Sequence, residues 1–320
     1  MDRRDPVVRW LLETRDPAVR FLTLRDILHE DPALRAMREA QSRIGEDPRI
    51  RRLLRGQKPD GGFGVHPYQK RTGAHWRLVS LVELGIGEGH PAARRAAGQV
   101  LGWLLGSAHR DNIPSVEGRV RRCASQEGNA VAVCSLLGMA DDPRVMTLAG
   151  SLAEWQWPDG GWNCDRNPRA DHSSFHESLA PMWGLLEFHR RTRDRRALAA
   201  AKRARELFLR HGMFRSERTG EAIDPEWLRF HYPPYWHFDV LQGLLILSRF
   251  GALRDSRLRE ALDLVESRRR PDGRWGVAPP YWRRVGGTAT GSEVTSWGRR
   301  GPNKFVTLNA LRVLRSAGRV

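Results

Sequence analysis

Apolar residues recur with the spacing i, i+3, i+4 and i+7 along most of the chain, which is the pattern of an amphipathic helix. The clearest segments span residues 76–86, 129–139, 179–188, 240–250 and 306–314. Two arginine-rich segments, 91–105 and 196–209, have one apolar and one basic face and predict a second helix in each unit. Strand-like alternation is absent. The pattern therefore predicts an all-α chain built from pairs of helices.

A short turn signature separates some of these helices and occurs three times. It reads QKPDGGFG at 57–64, QWPDGGWN at 156–163 and SRRRPDGRWG at 267–276. Proline presets the first turn position, aspartate bonds back to the backbone, and glycine adopts the positive φ that other residues avoid. Each copy therefore predicts a tight corner.

The corners are 99 and then 113 residues apart, about twice a period of 50 to 55 residues. Weaker copies halfway between them are found at 107–114 and 211–215. The first fifty residues, with DPAVRFLTLRDIL (16–28) and DPALRAM (31–37), predict one more helix pair with Asp-Pro starts. Two-helix units of this size bury their apolar faces only by stacking, either as an open solenoid or as a closed ring.

The three corners resemble the QW motif of the squalene-cyclase and protein prenyltransferase repeat family, over roughly residues 50–315. The resemblance implies an (α/α)6 barrel, or toroid, and we expect residues 1–320 to form one such domain. Cyclases of that family protonate an alkene with an Asp-x-Asp-Asp run, which is absent here. Asp141 and Asp142 are instead expected to start a helix, and no DDxxD motif for a magnesium diphosphate site occurs. The sequence therefore argues against a squalene or hopene cyclase.

In that fold the polar residues at the starts of the inner helices face a central cavity. The residues expected to line such a pocket are His75, Trp76, Gln126, Asn129, Tyr235, Trp236 and Asp239. Aligning the inner-helix ends 184–187 and 243–246 sets His172 against His231 and His176 against Tyr235. The loop HYPPYWH (231–237) strengthens the expectation of a site, because two prolines hold two histidines and three aromatic residues in it.

Thiolates and imidazoles at one level of adjacent units would suit Zn²⁺, so we predict the zinc ligands Cys123, Cys164, His176 and His231. Asp165, His172 and His237 are candidates for acid–base or supporting roles. Protein prenyltransferases hold zinc at this place with an aspartate, a cysteine and a histidine. Asp171 and Ser173 occupy the positions of that aspartate and cysteine here, so Cys164 would have to substitute.

Each of these residues also has a purely structural interpretation. Any single histidine is more often a satisfied side chain than a ligand. Cys123 alone could be a packing cysteine, and Cys134, in an apolar helical run, is expected to be a core residue. Trp162 and Trp275 are expected to wedge between helices. The case for a metal or catalytic centre depends on several such residues meeting.

Composition narrows the class of protein without naming a reaction. Three cysteines in 320 residues do not form a disulfide framework. No apolar run approaches the length of a bilayer span and the first thirty residues lack a signal-peptide core, so we expect a cytoplasmic protein. The net charge of +17 suggests an acidic partner such as nucleic acid. Because the arginines are spread along the chain without interleaved aromatics, nucleic-acid binding is not favoured.

Two functions follow from these patterns, and the family resemblance adds a third, a subunit like the β subunit of a heterodimeric prenyltransferase, for which nothing in this chain identifies an α partner. The first is a toroidal, zinc-dependent enzyme that acts on a partly apolar small molecule, isoprenoid-like by the family resemblance. The alternative is a non-catalytic helical repeat that uses its basic surface to bind nucleic acid or a protein. The number of subunits is left open.

Overall fold

The computed structural model describes residues 2–13, 16–111, 113–281 and 293–320, and this part of the chain is mostly α-helical. Its helices are α1 Pro6–Leu12, α2 Pro17–Asp26, α3 Arg35–Ser42, α4 Pro48–Leu54, α5 Ala74–Glu83, α6 Pro91–Leu105, α7 Ser107–Arg110, α8 Ser125–Leu136, α9 Pro143–Glu154, α10 Phe175–Thr192, α11 Arg195–Arg210, α12 Val240–Ser248, α13 Arg259–Ser267 and α14 Lys304–Ser316. Short 3-10 turns occur at Ile44–Glu46, Pro225–Leu228 and Ser256–Leu258. The prediction of an all-α chain is confirmed.

The Pro-Asp-Gly corners share one geometry. In each copy a backbone N–H donates back across the turn, from Gly61 to Lys58, from Gly160 to Trp157 and from Gly273 to Arg270. The same three glycines have φ of +87°, +104° and +76°, as the turn signature predicts. The Gln57 and Gln156 side chains donate both to the carbonyl of the turn glycine and to a carbonyl of the second helix after the corner, Ala92 in α6 and Ala200 in α11. Each of these two corners is therefore hydrogen-bonded to the second helix that follows it.

Trp162 and Trp275 pack between helices, as expected. Both are fully buried, and their indole N–H groups donate to the carbonyls of Leu152 in α9 and Val265 in α13. Cys134 is also buried in the core, and Asp142 caps α9 by accepting from the Arg144 N–H at 2.9 Å. These residues therefore have structural roles in packing and capping the helices.

Two local expectations need correction. Residues 107–110 form the helical turn α7 instead of a corner, and residue 112 of that segment lies outside the described part of the chain. The Asp-Pro pair at 31–32 does not start a helix, because Asp31 closes a turn through the N–H groups of Ala33 and Leu34, and α3 begins at Arg35. A two-residue antiparallel pair, β1 Ser115–Val116 and β2 Arg119–Val120, was also not expected.

One set of helices packs in sequence order. Helix α5 contacts α8, α8 contacts α10, α10 contacts α12, α12 contacts α14, and α14 contacts α2. Gly85, just after α5, lies against Phe21 and Leu22 of α2. The helices α6, α9, α11 and α13 pack on this set. Among the described residues, no helix is both long and apolar enough to cross a bilayer.

Helices α8 and α10 approach each other closely at two glycines. A Cβ added to Gly184 would lie 2.4 Å from the carbonyl oxygen of Gly128, and one added to Gly128 would lie 2.3 Å from the backbone nitrogen of Pro181. Only glycine permits this approach. It fixes the N-terminal end of α10 beside the N-terminal end of α8, where the candidate site lies.

Candidate metal centre and adjoining pocket

Two cysteines and one carboxylate meet beside the N-terminal ends of α8 and α10. Cys123 precedes α8, Cys164 lies in the loop between α9 and α10, and Glu177 is in the first turn of α10. One ligand atom from each lies within 4.8 Å of the others. All three residues are partly buried. This is the group of His, Cys, Asp and Glu side chains in the described chain that is close enough to share a metal ion.

Backbone pairing brings the two cysteines together. Arg121 and Asn163 form an isolated parallel β-bridge, so the segment that leads to Cys123 runs beside the segment that leads to Cys164. The Trp157 indole donates to the Val120 carbonyl at 2.9 Å, and the Arg121 guanidinium donates to the Ala170 carbonyl at 2.8 Å. The loop is therefore fixed to the segment before α8 at several points.

Glu177 is oriented by the start of α8. Its Oε2 accepts a hydrogen bond from the Ser125 N–H at 3.0 Å, and this N–H is one of those a helix leaves unpaired at its N-terminus. The other oxygen, Oε1, lies 3.8 Å from the Cys164 Sγ. One carboxylate oxygen is thus held by the backbone while the other is directed toward the thiols.

The three side chains fit a zinc ion in type and spacing. Two thiolates and a carboxylate are ligands that Zn²⁺ accepts, and sulfurs around a tetrahedral zinc lie about 3.8 Å apart. The hydrogen bond from the Ser125 N–H to Glu177 is the kind of supporting contact that orients a metal ligand. Three protein ligands also leave a fourth position open, as in catalytic rather than structural zinc sites.

The two cysteine side chains shift each other's pKa in opposite directions. The hydrogen bond from Cys123 to Cys164 lowers the pKa of Cys164, and the same bond together with burial raises the pKa of Cys123. Burial raises the pKa of Glu177 as well. The arrangement disfavours three negative charges at one point, which is the situation that a bound cation would relieve.

A second carboxylate, Glu127, lies one helical turn after Cys123 and is 1% exposed. Its Oε1 accepts from Arg122 at 2.7 Å and is 3.1 Å from the His109 Nε2, whereas its Oε2 is buried without a hydrogen-bond partner. Burial raises the pKa of Glu127 to about 7. A buried carboxylate oxygen without a hydrogen-bond partner lowers the stability of the fold, and such residues are typical of functional sites. Glu127 is therefore a candidate functional residue at this site.

A narrow pocket adjoins the centre and runs between α5, α8, α10 and α12. Its free volume is about 40 Å³, room for two or three water molecules. The α10 face that lines it carries His176, Leu179, Ala180 and Trp183, and loop 233–238 covers it. The Trp183 indole N–H is buried without a hydrogen-bond partner. A larger ligand would enter only if loop 233–238 moves.

Among the four predicted zinc ligands, the structure brings together Cys123 and Cys164 but not the histidines. His176 precedes Glu177, and adjacent residues on a helix point about 100° apart. Its ring therefore faces Trp227 and His237, with ring centroids at 5.8 and 6.3 Å. His231 is buried against Tyr281 at 4.1 Å and lies 3.3 Å from the Glu226 carboxylate. Neither imidazole is part of the Cys123, Cys164 and Glu177 group.

The three residues predicted for acid–base roles have different positions. His172 has an 83% exposed side chain and pairs with Asp171, because residues 167–174 form a loop and α10 begins only at Phe175. Asp165 is exposed and accepts from the Asn167 N–H in the same loop. His237 does line the pocket, stacked on Tyr281 at 3.8 Å, and burial lowers its pKa to about 4.

The predicted pocket residues are found in two groups. Asn129, Tyr235 and Trp236 line the pocket. The other four residues contact neighbouring side chains or cap a helix instead. His75 is 3.4 Å from the Asn129 amide, and Trp76 packs on Tyr235 and Trp236. Gln126 bonds to Tyr68, and Asp239 caps α12. Burial lowers the pKa of His75 to about 3, so its ring is neutral.

Sequence reasoning missed the acidic residues of this region. Glu127 and Glu177 lie in the first turns of α8 and α10, a position where an acidic residue is normally explained by the helix dipole. Glu293 was also missed; it is buried and accepts hydrogen bonds from the Tyr235 hydroxyl and the Trp297 indole. The available signal for Glu177 and Glu127 was their nearness in sequence to His176 and Cys123.

No protein-family model matches this chain, and no curated protein matches it. A crystal structure of a protein from Actinoplanes is similar, with a TM-score of 0.43 and 17% sequence identity over 98% of this chain and 89% of that one.

Proposed function

We propose that this protein is a metal-dependent enzyme in which Cys123, Cys164 and Glu177 bind Zn²⁺ and the adjoining pocket binds a small, partly apolar molecule. The observation that carries the proposal is the convergence of two thiols and one carboxylate within 4.8 Å. When bound, the ion would act as a Lewis acid toward a thiol, a water molecule or a substrate oxygen.

The frame we propose for this site is a closed ring of helical hairpins of the squalene-cyclase and prenyltransferase type. Support comes from the inner helices, which contact one another in the order α2, α5, α8, α10, α12 and α14, and from the contact of α14 with α2. The Arg312–Asp26 ion pair joins the last and first of them. The shared corner geometry at Gln57 and Gln156 also supports the family resemblance.

In this proposal Glu127 and His237 are the residues that donate and accept protons beside the ion. Glu127 has a buried oxygen without a hydrogen-bond partner and a pKa of about 7, which suits a group that gains and loses a proton near neutral pH. His237 lines the pocket as a neutral ring. The apolar walls at Leu179, Ala180 and Trp183 favour a ligand with an apolar body.

Elemental analysis of the purified protein tests the metal site directly. We expect about one zinc per chain in the wild type and loss of that zinc in Cys164→Ala, Cys123→Ala and Glu177→Gln. Cys134→Ala is the matched control, because that thiol is buried in the core away from the site, and it should retain zinc.

His176→Ala separates the two possible ligand sets. If the ligands are Cys123, Cys164 and Glu177, this variant keeps its zinc; if the histidine is a ligand, the zinc is lost. The proposal is overturned if wild-type protein is purified without metal, takes up no added Zn²⁺ and instead shifts DNA at low salt. That result would favour the alternative, a non-catalytic helical repeat that binds nucleic acid.

A further inference from the structure

The Cys123–Cys164 pair has a second chemistry that does not depend on a metal. The two sulfur atoms lie within 4.8 Å of each other, and no disulfide joins them. Both are partly exposed, whereas the third thiol, Cys134, is buried in the core. Two accessible thiols in contact are the arrangement from which a disulfide forms with little movement.

The backbone around the pair keeps the sulfurs close. Both segments are fixed by the parallel bridge between Arg121 and Asn163, by the Trp157 bond to Val120 and by the Arg121 bond to Ala170. Rotation about the cysteine χ1 bonds, rather than rearrangement of the loop, is then the movement required. In an unfolded chain the two residues are 41 positions apart and would meet only rarely.

We infer that Cys123 and Cys164 form a thiol oxidation site that reacts with low-molecular-weight disulfides and closes to an intramolecular disulfide. The Cys164 thiolate attacks one sulfur of the incoming disulfide, whose S–S bond breaks, and one thiol leaves. The Cys123 sulfur then attacks Cys164, gives its proton to the departing thiolate and releases the second thiol. The protein dithiol loses two electrons and two protons, which reduce the small disulfide to two thiols.

The first attack is assigned to Cys164 because of its surroundings. It is followed by the exposed loop residues Asp165 and Arg166, whereas Cys123 leads into the buried residues Ala124 and Ser125. A disulfide reagent therefore reaches Cys164 more easily. Cys123 is placed to resolve the mixed disulfide that forms there.

Oxidised glutathione is the probe. Full-length protein is stripped of metal with a chelator, incubated with the probe without oxygen, alkylated and analysed by intact mass and peptide mapping. We expect the wild type to lose two thiols and to gain a Cys123–Cys164 disulfide, with Cys134 still reduced. Cys123→Ser should accumulate a glutathione adduct at Cys164, and Cys164→Ser should react at least about ten-fold more slowly.

The reactivity of Cys134 is the internal control for folding, because that thiol is buried only in the folded chain. A variant that unfolds exposes it and is replaced by Cys123→Ala or Cys164→Ala. The inference is overturned if the wild type yields only glutathione adducts, or if Cys134 pairs as readily as Cys123 and Cys164.

Added Zn²⁺ makes this result independent of the proposed function. Protection of the thiols by Zn²⁺ would support both proposals. A disulfide that forms equally fast with and without Zn²⁺ supports the oxidation site and counts against the metal site. Bound Zn²⁺ with no disulfide in the stripped protein overturns the oxidation site alone.

Discussion

The helices that pack in sequence order, α2, α5, α8, α10, α12 and α14, carry charged side chains at both ends of the set, and the two ends differ in how these side chains are paired. At the C-terminal ends of α10 and α12, Glu187 pairs with Arg190 and Arg249 at 3.1 Å each, and near the C-terminal ends of α14 and α2, Arg312 pairs with Asp26. At the N-terminal ends, Glu127 keeps a buried oxygen without a hydrogen-bond partner and Glu177 lies against two thiols. Ion pairs of the first kind stabilise the packing of the helices, whereas a buried polar atom without a hydrogen-bond partner costs stability and is typical of functional sites.

The contact between α8 and α10 lies between the N-terminal and C-terminal ends of these helices. Breaking this contact should have the largest effect on the free energy of unfolding. Gly184→Ala places a Cβ 2.4 Å from a backbone oxygen, so the helices must separate, at a cost of about 3 kcal/mol or more in the free energy of unfolding. Urea denaturation measures this.

Gly150→Ala is the matched control for that variant. Gly150 lies within α9 with open space around it, so alanine should raise stability by up to about 1 kcal/mol. If both variants behave alike, the close approach of α8 and α10 does not exist.

At the ion-pair end, Asp26→Asn should lower the free energy of unfolding by about 2 kcal/mol at pH 7. Burial alone would raise the pKa of Asp26, but Arg312 and Arg25 lower it to about 2, from 3.8 for a free aspartate. The folded state therefore favours the charged form. The contribution is complete above pH 4 and is lost as the pH falls toward 2.

Denaturation curves of wild type and Asp26→Asn between pH 7 and pH 2 check this, and the difference should shrink only below pH 4. Glu39→Gln, which removes an exposed partner of Arg35, should change little. A pH-independent difference for Asp26→Asn would argue against the ion pair.

At the N-terminal end of α8, beside the candidate site, removing a carboxylate should raise the free energy of unfolding instead of lowering it. In metal-free protein, Glu127→Gln should raise the free energy of unfolding by about 1–2 kcal/mol at pH 8, because the wild type must ionise a buried carboxyl whose pKa burial has raised from 4.5 to about 7. The wild-type cost is absent below pH 4.5 and complete above pH 7. Weaker hydrogen bonds to Arg122 offset part of the gain.

Glu187→Gln provides the contrast, since it removes a carboxylate that is already paired and should destabilise the protein. Comparing the two variants at pH 5 and pH 8 decides whether the ends differ as described. Destabilisation by Glu127→Gln at both pH values would make Glu127 one more structural residue.

Changes at the Pro-Asp-Gly corners should affect the free energy of unfolding less than changes at either end of the helices. Gln156→Ala removes hydrogen bonds to Gly160 and Ala200 and should cost about 1 kcal/mol. Thermal unfolding against Gln41→Ala, an exposed position in α3, measures the difference. A neutral result would mean that the Pro-Asp-Gly corner itself, without the glutamine, fixes α11.

Helix positions could be predicted from this sequence because the signals are local. The segment 91–105 is the helix Pro91–Leu105, and 196–209 differs from α11 by one residue at each end. The turn glycines have the positive φ that the Pro-Asp-Gly signature requires. Turn chemistry and apolar spacing depend on neighbouring residues, so both are readable without a structure.

The site was predicted only in part because it depends on contacts between distant segments. Cys123 and Cys164 meet through a β-bridge in segments with no strand pattern. The residue that joins them is Glu177 and not His176, a difference of one position that rotates the side chain by about 100°. Because α10 begins at Phe175, His172 lies in the preceding loop and does not share a helical face with His176.

The packing of α14 on α2 has a consequence for how the protein is made. Asp26 receives its partner from Arg312, 286 residues later, so on the ribosome α2 is synthesised long before the helix that covers it. Until residues 304–316 emerge, the apolar face of α2 lacks its neighbour, and contacts over such sequence separation form slowly. We therefore expect nascent chains that stop short of α14 to bind chaperones and to be cleaved readily by proteases within the first helices.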